Sequence, residues 1–264
     1  MSVIKALFAR LQMNKICGTT IERDPTSVLY QGSDIVLKRV KWESRDCIVK
    51  IMPTNNQSLR ELCITAALTY AKTQVEWLGV SKLKFSYFGE SAKSVLDILD
   101  CWKGLVTKVP NNPMVIILEN SGDDLRDFNF RKLEDKLSVF IQIIQTYKFL
   151  DAKFSFIHDD ISLKNITAKY LEESKRVYVG NSRRYFDTNI EGSIIDYGLS
   201  SMTFSLEGKE NTFSNLIRKA SVEQDRKYLA SLIKNETSID CSHCTSFYSL
   251  EKHLFKCLLK CRNN

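Results

Sequence analysis

Two polar motifs in the second half of the chain constrain its fold most. The first is residues 158–165, which read His-Asp-Asp-Ile-Ser-Leu-Lys-Asn, and the second is residues 196–198, Asp-Tyr-Gly. Phosphoryl transfer needs a carboxylate to accept the proton of the attacking hydroxyl, and an amide oxygen and a second carboxylate to hold metal ions. We therefore predict Asp160 as the catalytic base and Asn165 and Asp196 as ligands of magnesium.

The order of these motifs is that of the protein-kinase signature, which also requires an upstream lysine on a strand and a glutamate on the next helix. Lys50 lies in the short apolar run 46–52, which reads as a strand. Glu61 follows in a segment with helical apolar spacing. A buried lysine needs a partner, so we predict a Lys50–Glu61 ion pair. Alternatively, Lys50 extends to solvent and Glu61 lies on a solvated face.

Three segments identify the family that the chain resembles. Residues 193–197 read Ser-Ile-Ile-Asp-Tyr, residues 61–68 form the glutamate helix, and residues 115–119 are followed by Asp124 and Leu125. These segments resemble haspin-type kinases, an atypical eukaryotic family that phosphorylates a threonine near the N-terminus of a core histone tail. The resemblance extends over about residues 28–232. The Ser-Ile-Ile-Asp-Tyr run is the most specific element of this resemblance, and the other two segments would fit many kinases.

The resemblance implies an α+β, two-lobed protein-kinase-like fold in a single domain of residues 1–264. Residues 1–118 would be a β-rich small lobe, 119–122 the hinge, and 123–264 a mainly helical large lobe. That lobe must be reduced, because no Ala-Pro-Glu follows Gly198. A β-hairpin is expected within residues 169–186, and Asp225 is expected to anchor a later helix.

The resemblance also implies a monomeric serine/threonine kinase that uses ATP and magnesium on a histone tail. It would act on chromosomes in the nucleus during mitosis, with the cytoplasm as the alternative location. Lys50 would hold the α- and β-phosphates. Predicted nucleotide-binding residues are Leu29, Gly32, Leu37, Lys50, Glu119, Asn120, Asn165 and Asp196, and the predicted catalytic residues are Lys50, Glu61, Asp160 and Lys164.

The chain departs from the kinase pattern at three places. Residues 29–37 keep only Gly32 of the glycine-rich loop, whose glycines let the backbone approach the phosphates, so we expect weaker nucleotide binding. Asp159 replaces the arginine that usually grips a phosphorylated activation loop, which argues against that form of control. Ser162, two residues after Asp160, has no charge for the γ-phosphate, and Lys164 could supply it.

Two other functions fit parts of this pattern. A pseudokinase that acts as a chromatin-associated binding module would explain the loss of glycines. A scaffold, however, has no chemical need for the full set of catalytic side chains. A small-molecule phosphotransferase of kinase-like fold would also carry a His-x-Asp loop, and residues 193–197 favour the protein kinase over it.

Charge and composition suggest what the chain contacts. The net charge is +7, which favours nucleic acid or chromatin, but the basic residues are dispersed as on a solvated surface. A basic histone tail would need acidic residues, and Asp123, Asp124 and Asp127 are candidates. They could instead cap the following helix.

Neither a membrane segment nor a secretory signal is expected. No apolar stretch is long enough to span a bilayer, and Lys5 and Arg10 interrupt the apolar N-terminus. This amphipathic segment has no acidic residue before Glu22, so it predicts either a helix packed on the small lobe or a mitochondrial presequence.

The C-terminal cysteines have the spacing of zinc ligands. Cys241 and Cys244 form a C-x-x-C, and His253 and Cys257 follow four residues apart, which is one helical face. A structural zinc site at these four residues is one prediction. The other is that His253 and Cys257 belong to the apolar stripe of the last helix, and the haspin resemblance gives no support for a metal.

Overall fold

The structure is a computed structural model. It describes residues 21–22, 28–31, 35–42, 45–89, 92, 112–180, 184–206, 209–214 and 221–263. The predicted N-terminal helix and Gly32 lie outside these ranges. Within them, every helix is too short or too polar to cross a bilayer.

Two compact units make up the chain. The first comprises Met1–Tyr70 and Ser81–Asn120, and the second comprises Ala71–Val80 and Ser121–Asn264. Each is described by itself below, and the predicted lobes and hinge stay a prediction.

The described part of the first unit contains an antiparallel sheet and a long helix. Its strands are β1 (Ile21–Glu22), β2 (Val28–Gln31), β3 (Val36–Trp42), β4 (Arg45–Pro53), β5 (Leu83–Phe88) and β6 (Pro113–Glu119). The order is β1-β3-β4-β6-β5, and β2 also pairs with β3. Helix α1 (Asn56–Gln74) follows β4 directly.

The start of α1 is fixed by a reciprocal cap. The backbone N–H of Ser58 donates to Oδ1 of Asn55, and the N–H of Asn55 donates to Oγ of Ser58, both at 2.9 Å. These bonds satisfy donors that the first helical turn leaves without a partner. The polar residues after Pro53 therefore start the helix where the sequence predicts.

The side chains of β4 alternate between the two faces of the sheet, and each face carries its own apolar cluster. Cys47, Val49 and Ile51 point to one face, where they pack with residues of β3, β5 and β6. Met52 points to the other face and packs with Leu62 of α1. Since successive side chains of a strand point to opposite faces, Lys50 shares the face of Met52.

The second unit contains three long helices and two further sheets. The helices are α2 (Leu133–Phe154), α3 (Val222–Thr237) and α4 (Phe247–Asn263). The strands are β7 (Asp123–Asp124), β8 (Ile166–Tyr178), β9 (Tyr185–Ile194), β10 (Met202–Leu206) and β11 (Lys209–Phe213). β7, β8 and β9 form one sheet, and β10 and β11 form another.

Helix α2 is the centre of this unit's core. It is buried along much of its length, and its Tyr147 ring lies 5.1 Å from that of Phe247 on α4. Phe255 of α4 contacts Phe186 of β9 at 6.3 Å between ring centroids. The β8–β9 hairpin is longer than the predicted segment, and β9 packs mainly on α2.

Candidate active site

The predicted ion pair is present in the first unit. Nζ of Lys50 lies 2.6 Å from Oε1 of Glu61, and the two residues are 6% and 5% exposed. Lys50 reaches the helix because it shares the sheet face of Met52, and Glu61 lies on the α1 turn that faces it. Burial at this level rules out the alternative in which both side chains are solvated.

In the second unit, Asp160 is oriented by two neighbours. Nδ2 of Asn165 donates to the Asp160 main-chain oxygen at 2.7 Å and to its Oδ2 at 2.9 Å. Nζ of Lys164 lies 3.3 Å from the same Oδ2. A short 3-10 turn, Leu163–Asn165, brings both residues back to Asp160. With Oδ2 engaged, Oδ1 is the oxygen that can accept a proton.

The same bonds determine which atom of Asn165 can bind a metal. Because Nδ2 is used by Asp160, Oδ1 is the amide atom that can serve as a metal ligand. Asp196 adopts a left-handed backbone, with φ of 61°, which is uncommon outside glycine and typical of functional sites. An amide oxygen and a carboxylate suit magnesium, which usually takes few protein ligands and keeps others from water and phosphates.

Asp225 and His158 hold this loop in place. Oδ2 of Asp225 accepts the backbone N–H of His158 at 2.6 Å, and Oδ1 accepts that of Asp159 at 3.1 Å. Burial raises the pKa of the Asp225 carboxyl, although the hydrogen bond from His158 opposes this. Nε2 of His158 donates to the carbonyl oxygen of Ile195 at 2.9 Å, which ties the loop to the residue before Asp196.

These positioning roles were not predicted from sequence. Asp225 was expected only to anchor a helix, and its bonds span a long stretch of chain. Such a contact cannot be inferred from residue spacing in one sequence. The sequence shows only that an acidic residue stands at the start of α3. Tyr147, buried close to Asp225, has its pKa raised well above its ordinary value by burial and then by the Asp225 charge.

The described residues of the first unit that are predicted to bind nucleotide lie on its sheet or directly after it. Leu29 is on β2, and Leu37 on β3 is half-buried and pairs with Lys50. The backbone N–H of Glu119 donates to the Lys82 carbonyl at 2.8 Å, and that of Asn120 donates to the Asp46 carbonyl at 3.1 Å. Their roles in binding ATP stay predictions.

The chain matches one known protein family over most of its length. The model of the haspin-like kinase domain matches residues 13–219, which is most of the sequence. The chain belongs to the haspin-like kinase family. This membership confirms the predicted resemblance and the kinase-like α+β fold class.

Solved kinase structures resemble the haspin-like chain only distantly. One crystallised kinase domain is 15% identical with a TM-score of 0.43, and the match covers 69% of this chain and 52% of that one. Vaccinia related kinase 3 is 11% identical with a TM-score of 0.39, and the match covers 74% and 56%. The match thus spans little more than half of each solved chain. A search of curated proteins finds no match.

The acidic residues after Asn120 in the haspin-like chain do not cap a helix. Asp123 and Asp124 form strand β7, and α2 begins later, after Lys132. Asp124 pairs with Arg126 at 2.7 Å, so part of its charge is neutralised locally. The capping interpretation is therefore wrong. Recognition of a basic peptide by Asp123 and Asp127 stays a prediction.

The zinc prediction is not supported. Within the described residues, which include Cys241, Cys244, His253 and Cys257, His, Cys, Asp and Glu side chains form no group of three or more that could hold a metal ion. Cys241 is fully buried, and burial raises the pKa of its thiol to about 12, which opposes the thiolate that zinc needs. Helix α4 buries Leu250, Leu254 and Leu258 completely and leaves His253 and Cys257 half-buried, which favours the apolar-stripe interpretation.

Proposed function

We propose that the chain is a protein kinase that transfers the γ-phosphate of ATP to a hydroxyl group of a protein. The observation that carries this proposal is the orientation of Asp160, whose Oδ2 is held by Asn165 and Lys164 while Oδ1 stays available for a proton. A binding scaffold has no need for a carboxylate oriented in this way. Membership of the haspin-like kinase family supports the same activity.

Each side chain has one task in this proposal. Magnesium-bound ATP, when present, supplies the phosphoryl group and the neutralisation of its phosphates. Asp160 accepts the proton of the acceptor hydroxyl at Oδ1. Asn165 and Asp196 hold the metal, and Lys50, kept in place by Glu61, holds the α- and β-phosphates.

Lys164 can supply the positive charge that Ser162 lacks. Ser162 stands two residues after Asp160 and carries no charge, whereas Lys164 is half-exposed and lies 3.3 Å from the Asp160 carboxylate. A flexible lysine there can move from Asp160 toward the transferred phosphate as negative charge develops. We expect Lys164→Met to lower kcat more than it raises KM for ATP.

The proposed phosphate acceptor is the one that the resemblance to haspin-type kinases implies. We propose a threonine of a histone tail, with the chain acting as a monomer on chromatin in the nucleus during mitosis. The acidic side chains of Asp123 and Asp127 would attract the basic tail. The net charge of +7 would favour the chromatin surface itself.

Transfer of radiolabelled phosphate tests the activity. The purified chain is incubated with ATP and magnesium together with a histone-tail peptide, casein, a small alcohol or no acceptor. We expect labelled threonine in the peptide, and loss of about a hundredfold or more in Asp160→Asn because general-base catalysis disappears. Asp240→Asn, an exposed carboxylate on a loop, is the matched control and should keep full activity.

Two outcomes would change the proposal. Labelling of the small alcohol but of neither protein would indicate a small-molecule phosphotransferase. The absence of transfer from a folded chain would indicate a pseudokinase, which the single glycine of residues 29–37 favours. A nucleotide titration separates these cases, because a binding module without a phosphate loop should bind ATP weakly or not at all.

A further inference from the structure

Three exposed tyrosines lie at the closed end of the β8–β9 hairpin. Tyr178 and Tyr185 are 57% and 45% exposed, and they are cross-strand partners whose rings lie 5.9 Å apart. Tyr248, at the start of α4, is 59% exposed. A β-carbon placed on Gly180 would lie 3.8 Å from the Tyr248 ring, so this ring adjoins the same end of the hairpin.

A buried carboxylate fixes this end of the hairpin to the helices. Glu251 of α4 is 1% exposed, and its Oε1 accepts the N–H of Gly180 and Nε2 of Gln145, both at 3.0 Å. Its Oε2 accepts Nζ of Lys148. Gln145 also donates to the Tyr178 carbonyl. The tyrosines are therefore presented by a rigid support, which lowers the entropy lost on binding.

Cations accompany the tyrosines. The Arg176 guanidinium lies 4.1 Å from the centre of the Tyr185 ring. On α4, Tyr248 begins a row with Lys252, Lys256 and Lys260, all exposed and four residues apart. This spacing places them on one side of the helix, about 6 Å apart along its axis. Within the part of the chain that the structure describes, these three lysines form no ion pair.

The lysine row does not serve the helix. Like charges four residues apart destabilise a helix by a few tenths of a kcal/mol per pair. The helix dipole favours cations only in the last turn, so Lys260 gains from it but Lys252 and Lys256 do not. A binding role explains the row better than a structural one.

We propose that this tyrosine–lysine surface, defined by Arg176, Tyr178, Tyr185, Tyr248, Lys252, Lys256 and Lys260, binds single-stranded nucleic acid. Exposed aromatic rings stack on unpaired bases, and a line of cations follows the phosphates. A duplex keeps its bases inside and offers the tyrosines nothing to stack on. A protein partner fits less well, because lysine is depleted from protein interfaces.

The binding test uses fluorescence anisotropy. Labelled oligothymidylate and oligouridylate of about 16 nucleotides are titrated with the chain beside a duplex of the same length. We expect single strands to bind at least about tenfold more tightly than the duplex. Replacing each tyrosine by alanine should weaken binding about fivefold or more, whereas Tyr→Phe at the same positions, which keeps the ring, should change it less than about twofold.

Salt dependence tests the lysines. Between about 50 and 200 mM salt, log K decreases linearly with log salt, and each phosphate contact in a single strand contributes about 0.7 to the magnitude of that slope. The magnitude should therefore be smaller by about 2 in Lys252→Gln/Lys256→Gln/Lys260→Gln. Lys153→Gln/Lys227→Gln/Lys234→Gln removes the same charge from exposed positions elsewhere and should leave the slope unchanged. Thermal melting confirms that each variant is folded.

Several results would overturn the proposal. These are equal affinity for duplex and single strand, an equal loss in the control triple variant, full competition by polyglutamate, or the absence of binding at low salt. None of the substituted residues belongs to the proposed kinase site. Failure of nucleic-acid binding and failure of phosphate transfer are therefore separate results.

Discussion

At the scale of single residues, the site depends on charges that are buried and paired. Lys50 keeps its charge in the interior of the first unit because Glu61 lies 2.6 Å away. Asp225 is buried and accepts two backbone N–H groups of the loop that carries Asp160. Both arrangements are costly to break, since each substitution removes a counter-ion or an acceptor from a buried group.

Substitutions of the Lys50–Glu61 pair should separate stability from catalysis. Glu61→Ala leaves a buried cation, so we expect the free energy of unfolding to fall by about 3–5 kcal/mol. Lys50→Met/Glu61→Leu replaces both charges with apolar groups and should recover most of that loss while activity stays absent. Urea denaturation and the transfer assay measure the two effects. A double variant as unstable as the single one would contradict the pairing.

Asp225 should act through position rather than through substrate contact. Asp225→Ala leaves the N–H groups of His158 and Asp159 without an acceptor, which should cost about 2–4 kcal/mol of stability. We expect kcat to fall at least about tenfold with little change in KM for ATP, because Asp160 loses its fixed orientation. Asp187→Asn, an exposed carboxylate of β9, should change neither constant. A rise in KM alone would show that Asp225 instead shapes the nucleotide site.

At the scale of elements, the β7–β8–β9 sheet carries two tight constraints. Gly122 has φ of 106°, and a β-carbon there would lie 2.0 Å from the carbonyl oxygen of Ala168 on β8. Farther along the sheet, Glu191 of β9 pairs with Lys169 at 3.2 Å and Lys175 at 3.1 Å across the strand pair. The first contact is steric and the second is electrostatic.

Gly122→Ala should disrupt the start of this sheet. The backbone angle alone costs about 1–3 kcal/mol for alanine, and the clash with Ala168 adds to it. Gly180→Ala is the matched control, because its φ is also positive, 61°, but its β-carbon would meet only ordinary contacts. We expect Gly122→Ala to lower the melting temperature clearly more than Gly180→Ala. Equal effects would show that backbone strain alone accounts for both.

Glu191 should make stability depend on acid pH. Burial would raise the pKa of Glu191, but Lys175, Lys169 and Lys72 lower it to about 2, below its ordinary value of 4.5. A depressed carboxyl pKa contributes stability that is complete above about pH 5 and is lost as the pH falls toward 2. The stability difference between the natural chain and Glu191→Gln should therefore shrink over this window. A difference that is constant from neutral to acid pH would contradict the ion pairs.

At the scale of the whole molecule, local chemistry was predictable and long-range contact was not. The kinase-like fold was predicted from the resemblance to haspin-type kinases, and the Lys50–Glu61 pair from a short apolar strand, helical spacing and motif order. The hydrogen bonds from Asp225 to residues 158 and 159 connect segments far apart in sequence, so no local sequence pattern predicts them. The zinc prediction failed because C-x-x-C and helical spacing fit a buried apolar stripe equally well.

The described cysteines should therefore hold no zinc and stay reduced. The six described cysteines are free thiols, and two of them, Cys241 and Cys244, are buried among the last helices. We expect a chelator to leave the melting temperature unchanged. Thiol titration of the denatured, unreduced chain should find at least these six groups. Bound zinc measured by elemental analysis, together with loss of stability on chelation, would contradict this expectation.

The way residue 159 is held has a consequence for regulation. Its N–H bonds to Asp225, and its φ is 61°, a conformation that aspartate enters more readily than most residues. The bond that holds the loop at this point uses the backbone N–H, which every amino acid except proline has. The residue type at this position can change during evolution while the catalytic loop keeps its shape. We therefore expect Asp159→Arg, which introduces the residue that usually grips a phosphorylated activation loop, to leave the shape of the catalytic loop unchanged.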